Sequence, residues 1–309
     1  MKNPKVSIVV PLFNEEGNVE LLSHRLVGIL QQYKDYELLF VDDGSGDGTL
    51  GKIKAQREKN RNIHYLSFSR NFGHQNALRA GIEYASGDCI ISMDGDMQHP
   101  PELIPDLVEK WQEGYDIVYT IRKDDPQISF LKRKTSNLFY DIMNKFSDIR
   151  IERGTADFRL IDNKIAQIIN NIKENDVFMR GVIPWLGYKQ CAIEYMPQER
   201  CWGETKYSLS KMIKLGTAGL TSFSVKPLHI STLVGYILAG ISFLYGIYAM
   251  GVKLFTINAV SGWASVMTVI LFIGGVQMIM LGILGEYVGK LFIESKRRPN
   301  YLIKDKSYD

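Results

Sequence analysis

Apolar and polar positions alternate along the first half of this chain in a repeating order. Residues 6–10 (Val-Ser-Ile-Val-Val) form a short apolar run ended by Pro11, which reads as a buried strand. Asn18 can cap a helix to about Tyr33, with Val19, Leu22, Leu26, Ile29 and Leu30 on one face. Residues 36–41, 64–68 and 89–93 repeat the strand pattern, and residues 49–58 and 75–84 repeat the helical one. Strand, turn and helix in this order predict an α/β fold with a mainly parallel sheet covered by helices on both faces. A helix opened by Pro100-Pro101 reaches about Glu113, and residues 116–120 and 190–196 read as further strands. Helical spacing also marks residues 130–146 and 163–172.

The pattern changes after Pro227. No Lys, Arg, Asp or Glu occurs in residues 227–252, nor in residues 254–285. A spanning helix needs about 20 mostly apolar residues, so both runs qualify, at about 229–252 and 263–287. Residues 208–226 are amphipathic, with Lys211 and Lys214, and suit a membrane surface. The expected organisation is a cytosolic head over residues 1–207, the surface segment 208–226, a two-helix hairpin over 227–290 and a cytosolic tail over 291–309. Lys206, Lys211, Lys214 and Lys226 precede the first span, and Lys290, Lys296, Arg297 and Arg298 follow the second. Positive charge near span ends marks the cytosolic side, which places both termini there and Asn258 outside.

Across all 309 residues the net charge is only +3, which gives no reason to expect a nucleic-acid partner. The three cysteines, Cys89, Cys191 and Cys201, lack metal-like spacing and read as reduced thiols. The apolar stretch near the start is too short for a signal peptide.

Candidate chemistry gathers where strands end. Asp94-Gly95-Asp96 follows the strand at 89–93, at the sheet edge where open α/β folds bind ligands. Two carboxylates there can hold a divalent cation on a diphosphate, with Gly95 leaving room and Gln98 and His99 extending the rim. Asp42-Asp43-Gly44-Ser45-Gly46-Asp47-Gly48-Thr49 ends the second strand and permits close approach to a ligand. Asp43 and Asp47 are expected to shape that turn, and His74, His99 and His229 to be structural. The chain has no G-x-G-x-x-G after the first strand and no G-x-x-x-x-G-K-[ST], which argues against an NAD fold and a P-loop NTPase.

Ile8-Val9-Val10-Pro11 with Asn14-Glu15-Glu16, then Asp42-Asp43-Gly44-Ser45 and Asp94-Gly95-Asp96, resembles the GT-A fold of inverting family-2 glycosyltransferases. Arg70-Asn71-Phe72-Gly73, Gln98-His99-Pro100-Pro101-Glu102, Asp157-Phe158-Arg159-Leu160 and Trp202-Gly203-Glu204-Thr205-Lys206 narrow the likeness. They are similar to bacterial polyisoprenyl-phosphate glycosyltransferases, relatives of dolichol-phosphate mannose synthase that carry the same C-terminal hairpin. The resemblance implies that Pro11, Glu15 and Asp42 hold the donor nucleoside and that Asp94 faces the sugar or ribose. It implies Asp96 and Gln98 as the site of Mg²⁺ or Mn²⁺, which offsets charge on the departing diphosphate. The acceptor would be a lipid monophosphate such as undecaprenyl phosphate, largely ionised at neutral pH. Asp157, expected beyond the sheet strands, would take a residual proton or orient that phosphate. Arg159, Arg200 and Lys206 would hold it by charge-assisted bonds. A structural Asp157–Arg159 ion pair is the plainer alternative, and solvated or headgroup-contacting roles are the alternatives for Arg200 and Lys206.

Two competing readings remain at the level of sequence. A processive polysaccharide synthase of the same fold would carry Q-x-x-R-W, whereas Gln198-Glu199-Arg200-Cys201-Trp202 is Q-x-R-x-W. A non-catalytic membrane scaffold would have no need of Asp94, Asp96 and Asp157. Glucose, N-acetylglucosamine, mannose and an aminoarabinose relative all fit the sequence, with UDP-glucose favoured. A homo-oligomer is compatible with it.

Overall fold

A computed structural model describes residues 3–123, 144, 152, 154–174, 178–197, 224–255 and 262–308. Its centre is an eight-stranded sheet. Four strands, β1 (Lys5–Leu12), β2 (Asp35–Asp42), β3 (Ile63–Phe68) and β4 (Cys89–Ser92), run parallel around β1. Then β5 (Ile117–Arg122), β6 (Thr155–Asp162), β7 (Gln190–Tyr195) and β8 (Ile303–Lys306) complete the order β7-β5-β6-β4-β1-β2-β3-β8. β6 is antiparallel to both β4 and β5, and β8 is antiparallel to β3.

Both faces of the sheet are covered, which explains the nearly unbroken apolar runs. In β1, Val6, Ile8 and Val10 pack into one core with Leu22, Leu26 and Leu30 of α1 (Val19–Leu30) and Leu107 of α4 (Ile104–Gln112). Val9 points the other way, into a core with Leu78 of α3 (His74–Tyr84) and Ile165 and Ile169 of α5 (Asn163–Asn170). The other head helices are α2 (Thr49–Lys59) and α6 (Met179–Trp185).

The parallel strands and their helices lie within about three residues of the positions expected from sequence, α1 ending at Leu30 rather than Tyr33. Two corrections concern segments taken to lie outside the sheet. Asp157 sits inside β6, beside β4, rather than beyond the strands. The tail, read from sequence only as cytosolic, folds back as β8, with Leu66 paired to Lys306 and Phe68 to Ile303. The helix expected over 130–146 and the amphipathic segment 208–223 lie outside the described residues.

Two long helices follow the head, α7 (Lys226–Phe255) and α8 (Trp263–Ser295), of 30 and 33 residues. At about 1.5 Å per residue each exceeds the ~30 Å hydrocarbon core of a bilayer. Their apolar windows, Lys226–Tyr248 and Thr268–Ser295, have mean hydropathies of 1.8 and 2.1 and are not buried inside the protein. Exposed Tyr236, Phe243, Leu244, Met278 and Ile279 would be costly in water and suit lipid contact. The Tyr287 hydroxyl of α8 donates to the Ser224 carbonyl at 2.6 Å, tying the second helix to the entry of the first.

Candidate active site

The carboxyl ends of β1, β2 and β4 meet at one edge, as parallel order requires. Asp42, the last residue of β2, is buried and held inside the protein. Its Oδ1 accepts from the Ser45 amide at 3.0 Å and its Oδ2 from the Ser67 hydroxyl at 2.8 Å. Its neighbour Asp43 shapes the turn, as expected: the Phe72 amide donates to it at 2.7 Å and the Gly73 amide at 3.0 Å. Burial raises the Asp43 pKa, against the opposing effect of these two amides and of His74. Gly44 is required between the two loops. It has φ +67°, and a Cβ there would meet the Arg70 carbonyl carbon at 2.4 Å. Asp47 also braces the turn, accepting from the Thr49 amide at 3.0 Å and the Glu16 amide at 3.3 Å. Pro11 is buried near the end of β1, and Glu15 accepts from the Asn18 side chain at 2.7 Å.

Gly95 has a different reason from the one expected. A Cβ there would meet Leu12 Cδ2 at 2.1 Å, so the glycine admits the end of β1 rather than a cation. Asp94 and Asp96 flank it, both partly exposed. The Asp94 amide donates to His99 Nδ1 at 3.0 Å, and the His99 ring stacks on Phe158 with centroids 5.3 Å apart. His99 is therefore structural, as expected. Asp96 Oδ1 accepts from the Gln98 amide at 3.1 Å, and Met97 between them adopts φ 63°.

Asp157 lies across from Asp94 because β6 runs antiparallel to β4, and the Ser92 hydroxyl donates to the Asp157 carbonyl at 2.6 Å. Its side chain is 5% exposed and faces three cationic groups. Arg159 Nη2 donates to Oδ1 at 2.7 Å, Arg180 Nη2 donates to Oδ2 at 2.9 Å, and His74 Nε2 lies 3.8 Å from Oδ2. Burial opposes ionisation of Asp157. The Arg180 charge, the neighbouring His74 ring and the Arg159 charge together outweigh it and hold the carboxyl well below its usual range. A carboxylate so stabilised is a weak proton acceptor, which favours an orienting role over a base. Arg159, expected to reach a substrate phosphate, is itself 2% exposed and bound beneath Asp157. The ion pair weighed as the plainer alternative is therefore present. Arg200 and Lys206 lie outside the described residues.

Two residues given no site role in the sequence join this cluster: His74, expected to be structural, and Arg180. His74 Nε2 is 3.3 Å from Asp94 Oδ1 as well as 3.8 Å from Asp157, so it bridges the two carboxylates. Burial lowers its pKa, but the neighbouring Asp157 and Asp94 carboxylates prevail and raise it to about 9. Its side chain is 42% exposed, so solvent screens part of that effect, and the direction rests on the two carboxylates. Its place at the start of α3 disfavours positive charge by ~0.3–1 kcal/mol, less than two facing carboxylates supply. The available signal was position: His74 follows a strand-to-helix turn at the same edge as Asp94. Arg180 was hidden because Gly181 and Pro184 mask the short helix α6. A cavity of about 190 Å³ opens beside Arg159 and Arg180, lined also by Tyr119, Thr155 and Ile183.

The family-2 glycosyl transferase model matches residues 7–170, and a model described as the GtrB C-terminal hairpin matches residues 226–291. The chain belongs to glycosyl transferase family 2. It is 43% identical over 303 residues to the bactoprenol glucosyl transferase of Shigella phage SfV, covering 97% of this chain and 98% of that one. It is 42% identical over 302 residues to a prophage bactoprenol glucosyl transferase homolog of Escherichia coli, with 97% and 98% covered. Among solved structures, a mannosyltransferase from Pyrobaculum calidifontis in complex with GDP-Man and Mn²⁺ aligns with TM-score 0.47 and 16% identity, covering 82% of this chain and 81% of that one. This family-2 chain is a glycosyltransferase with a GT-A-like head and a C-terminal helical hairpin.

Proposed function

We propose that this glycosyltransferase moves a sugar, with inversion, from a nucleotide sugar to a polyprenyl phosphate such as undecaprenyl phosphate. Glucose from UDP-glucose is the favoured cargo, in keeping with the printed names of the relatives. The observation that carries the reading is the cluster of Asp94 and Asp157 with Arg159 and Arg180 at the sheet's carboxyl edge. Carboxylates suit a sugar and its metal, and two guanidinium groups suit a phosphate. Arg159 Nε is buried without a hydrogen-bond partner, an unmet donor that an anion in the adjoining cavity would satisfy. Pro11, Glu15 and Asp42 are the proposed nucleoside contacts.

A divalent cation fits the acidic edge. Among the described residues no three His, Cys, Asp or Glu side chains converge on one point. Mg²⁺ needs only one or two protein carboxylates when a diphosphate completes its shell. Asp96 and Gln98 are the proposed holders, with the partly exposed Asp94 carboxylate two residues away on the same turn. When bound, the cation would offset charge on the departing diphosphate.

The hairpin would anchor the head to a membrane. Pairing of β3 with β8 holds residues on either side of the hairpin in one sheet, which supports head and tail on the same, cytosolic, face. The test is to incubate the full-length protein in lipid nanodiscs with undecaprenyl phosphate, Mg²⁺ and separate nucleotide sugars, then weigh the lipid by mass spectrometry. A lipid heavier by one hexose with UDP-glucose is expected, abolished by EDTA and by Asp96→Ala. Unmodified lipid with every donor would refute the reading.

A further inference from the structure

One row of residues crosses four strands at the donor edge. Leu12 of β1 pairs with Asp42 of β2, Asp42 with Ser67 of β3, and Ser67 with Asp305 of β8. Asp42 is one of the proposed nucleoside contacts, and its Oδ2 accepts from the Ser67 hydroxyl at 2.8 Å. Ser67 is buried, so the position of that hydroxyl follows from the strands on either side of β3. One of them is β2, which carries Asp42 itself. The other is β8, from the tail beyond the hairpin.

The tail also grips the chain where it leaves β3. The ladder between β3 and β8 shifts register between Ser67 and Phe68. A shift of this kind bends a strand and interrupts its pairing, so other contacts must set the direction of the chain. Two tail residues supply them. The Tyr301 ring stacks on buried Phe68, with centroids 4.9 Å apart, and the Ser69 amide donates to the Leu302 carbonyl at 2.9 Å. Phe68 also meets Phe72 edge-on at 5.8 Å, and the Phe72 and Gly73 amides donate to Asp43. The loop over residues 69–73 is therefore held by the tail at one end and by the turn after β2 at the other.

We propose that Tyr301 is a positioning residue for the donor nucleotide. Its stack on Phe68 sets the end of β3 and the following loop, and through them the two aspartates of the donor turn. Ser67 transmits the placement to Asp42, and the loop transmits it to Asp43. The proposal rests on the donor assignment made above and deepens it, because it makes the nucleotide site depend on chain that follows the membrane hairpin. Tyr308 provides an internal comparison. It stacks on His64 at 4.4 Å, near the opposite end of β3 and away from Asp42.

The test compares full-length wild type, Tyr301→Ala, Tyr301→Phe and Tyr308→Ala in lipid nanodiscs. The measurements are the Kd of UDP with Mg²⁺, kcat and KM for UDP-glucose, and amide exchange at Ser69, Phe72 and Gly73. Tyr301→Ala is expected to weaken UDP binding and raise donor KM by about 3- to 30-fold, with kcat within about 3-fold of wild type. Exchange at the three amides should quicken. Tyr301→Phe keeps the ring and loses only the hydrogen bond to Glu83, so it should recover most of the lost affinity. Tyr308→Ala should lower the melting temperature while UDP binding and the three amides stay as in wild type. Should Tyr301→Ala fail to fold, Tyr301→Leu, which fills the place without a flat ring, is measured against the same expectations. Wild-type UDP affinity in the variant without the ring would overturn the proposal. So would an equal loss of affinity in Tyr308→Ala, which would mean a general loosening of the tail. If wild type itself binds no UDP, the donor assignment fails, and exchange at the three amides still decides whether Tyr301 sets the loop.

Discussion

Arg180 and Asp157, 23 residues apart, meet through two nitrogen–oxygen contacts of 2.9 and 3.3 Å. This paired geometry aims a planar guanidinium at one carboxylate from the start of a short helix, with Arg159 on the opposite side. The three side chains form one cluster in which a single buried carboxylate is shared by two guanidinium groups.

Asp157→Asn keeps the shape and removes the one carboxylate charge that Arg159 and Arg180 share. Removing one partner of a buried ion pair typically costs about 3–5 kcal/mol, so the variant should melt well below wild type. Its kcat should fall on the order of 10²-fold through misplacement of the acceptor, with donor binding retained. The pH dependence has a defined sign. The folded pKa of Asp157 lies below its unfolded value, so its stabilisation is complete above the unfolded pKa of ~3.9 and is lost as pH falls through the folded one. Asp157→Asn should accordingly flatten the acid limb of a thermal-melt series. A variant that melts and turns over like wild type would exclude the role given to this carboxylate.

Tyr301 stacks on Phe68 with centroids 4.9 Å and planes 12° apart, and its hydroxyl donates to Glu83 at 2.5 Å. Tyr308 stacks on His64 at 4.4 Å, and Lys54 pairs with Asp305 at 2.6 Å. Together with the β3–β8 ladder these contacts fasten the tail to the head. Tyr301→Ala should lower stability by roughly 1–3 kcal/mol, visible as a lower melting temperature in detergent. It should also raise amide exchange at Ile303 and Asp305. An unchanged exchange pattern would mean that the tail does not depend on this stack.

The strands and turns that build the donor edge were legible because their signals are local. Val6, Ile8 and Val10 declare a buried strand, and Asp42 and Asp94 fall at strand ends by counting alone. What the sequence concealed was pairing over long separations. Asp157 reads as a loop residue after Gly154, yet β6 inserts it beside β4. Ile303 and Asp305 alternate with Lys304 and Lys306 too briefly to announce a strand, and their partners lie more than two hundred residues earlier. His74 was read as structural because a lone histidine carries no periodicity; only the convergence of Asp94 and Asp157 sets it in the cluster.

A cysteine introduced at Asn258, in the connection between α7 and α8, should react with a membrane-impermeant maleimide from outside intact cells. One placed at Lys304 should react only after the membrane is opened. Basic residues flank both helices at their head-side ends, and the sheet joins segments on either side of the hairpin. Labelling of Asn258→Cys solely from the cytosol would reverse this orientation.

The order of the strands in space also sets an order in time. β8 leaves the ribosome after both apolar helices, while its neighbour β3 emerges before them. Until the hairpin has emerged, the newly made head exposes the β3 edge, with unpaired amides and carbonyls open to any other chain. Closure of that edge therefore reports that both apolar helices have been made. A chain broken off within the hairpin would present an open strand, a mark by which quality control can distinguish it from the finished enzyme.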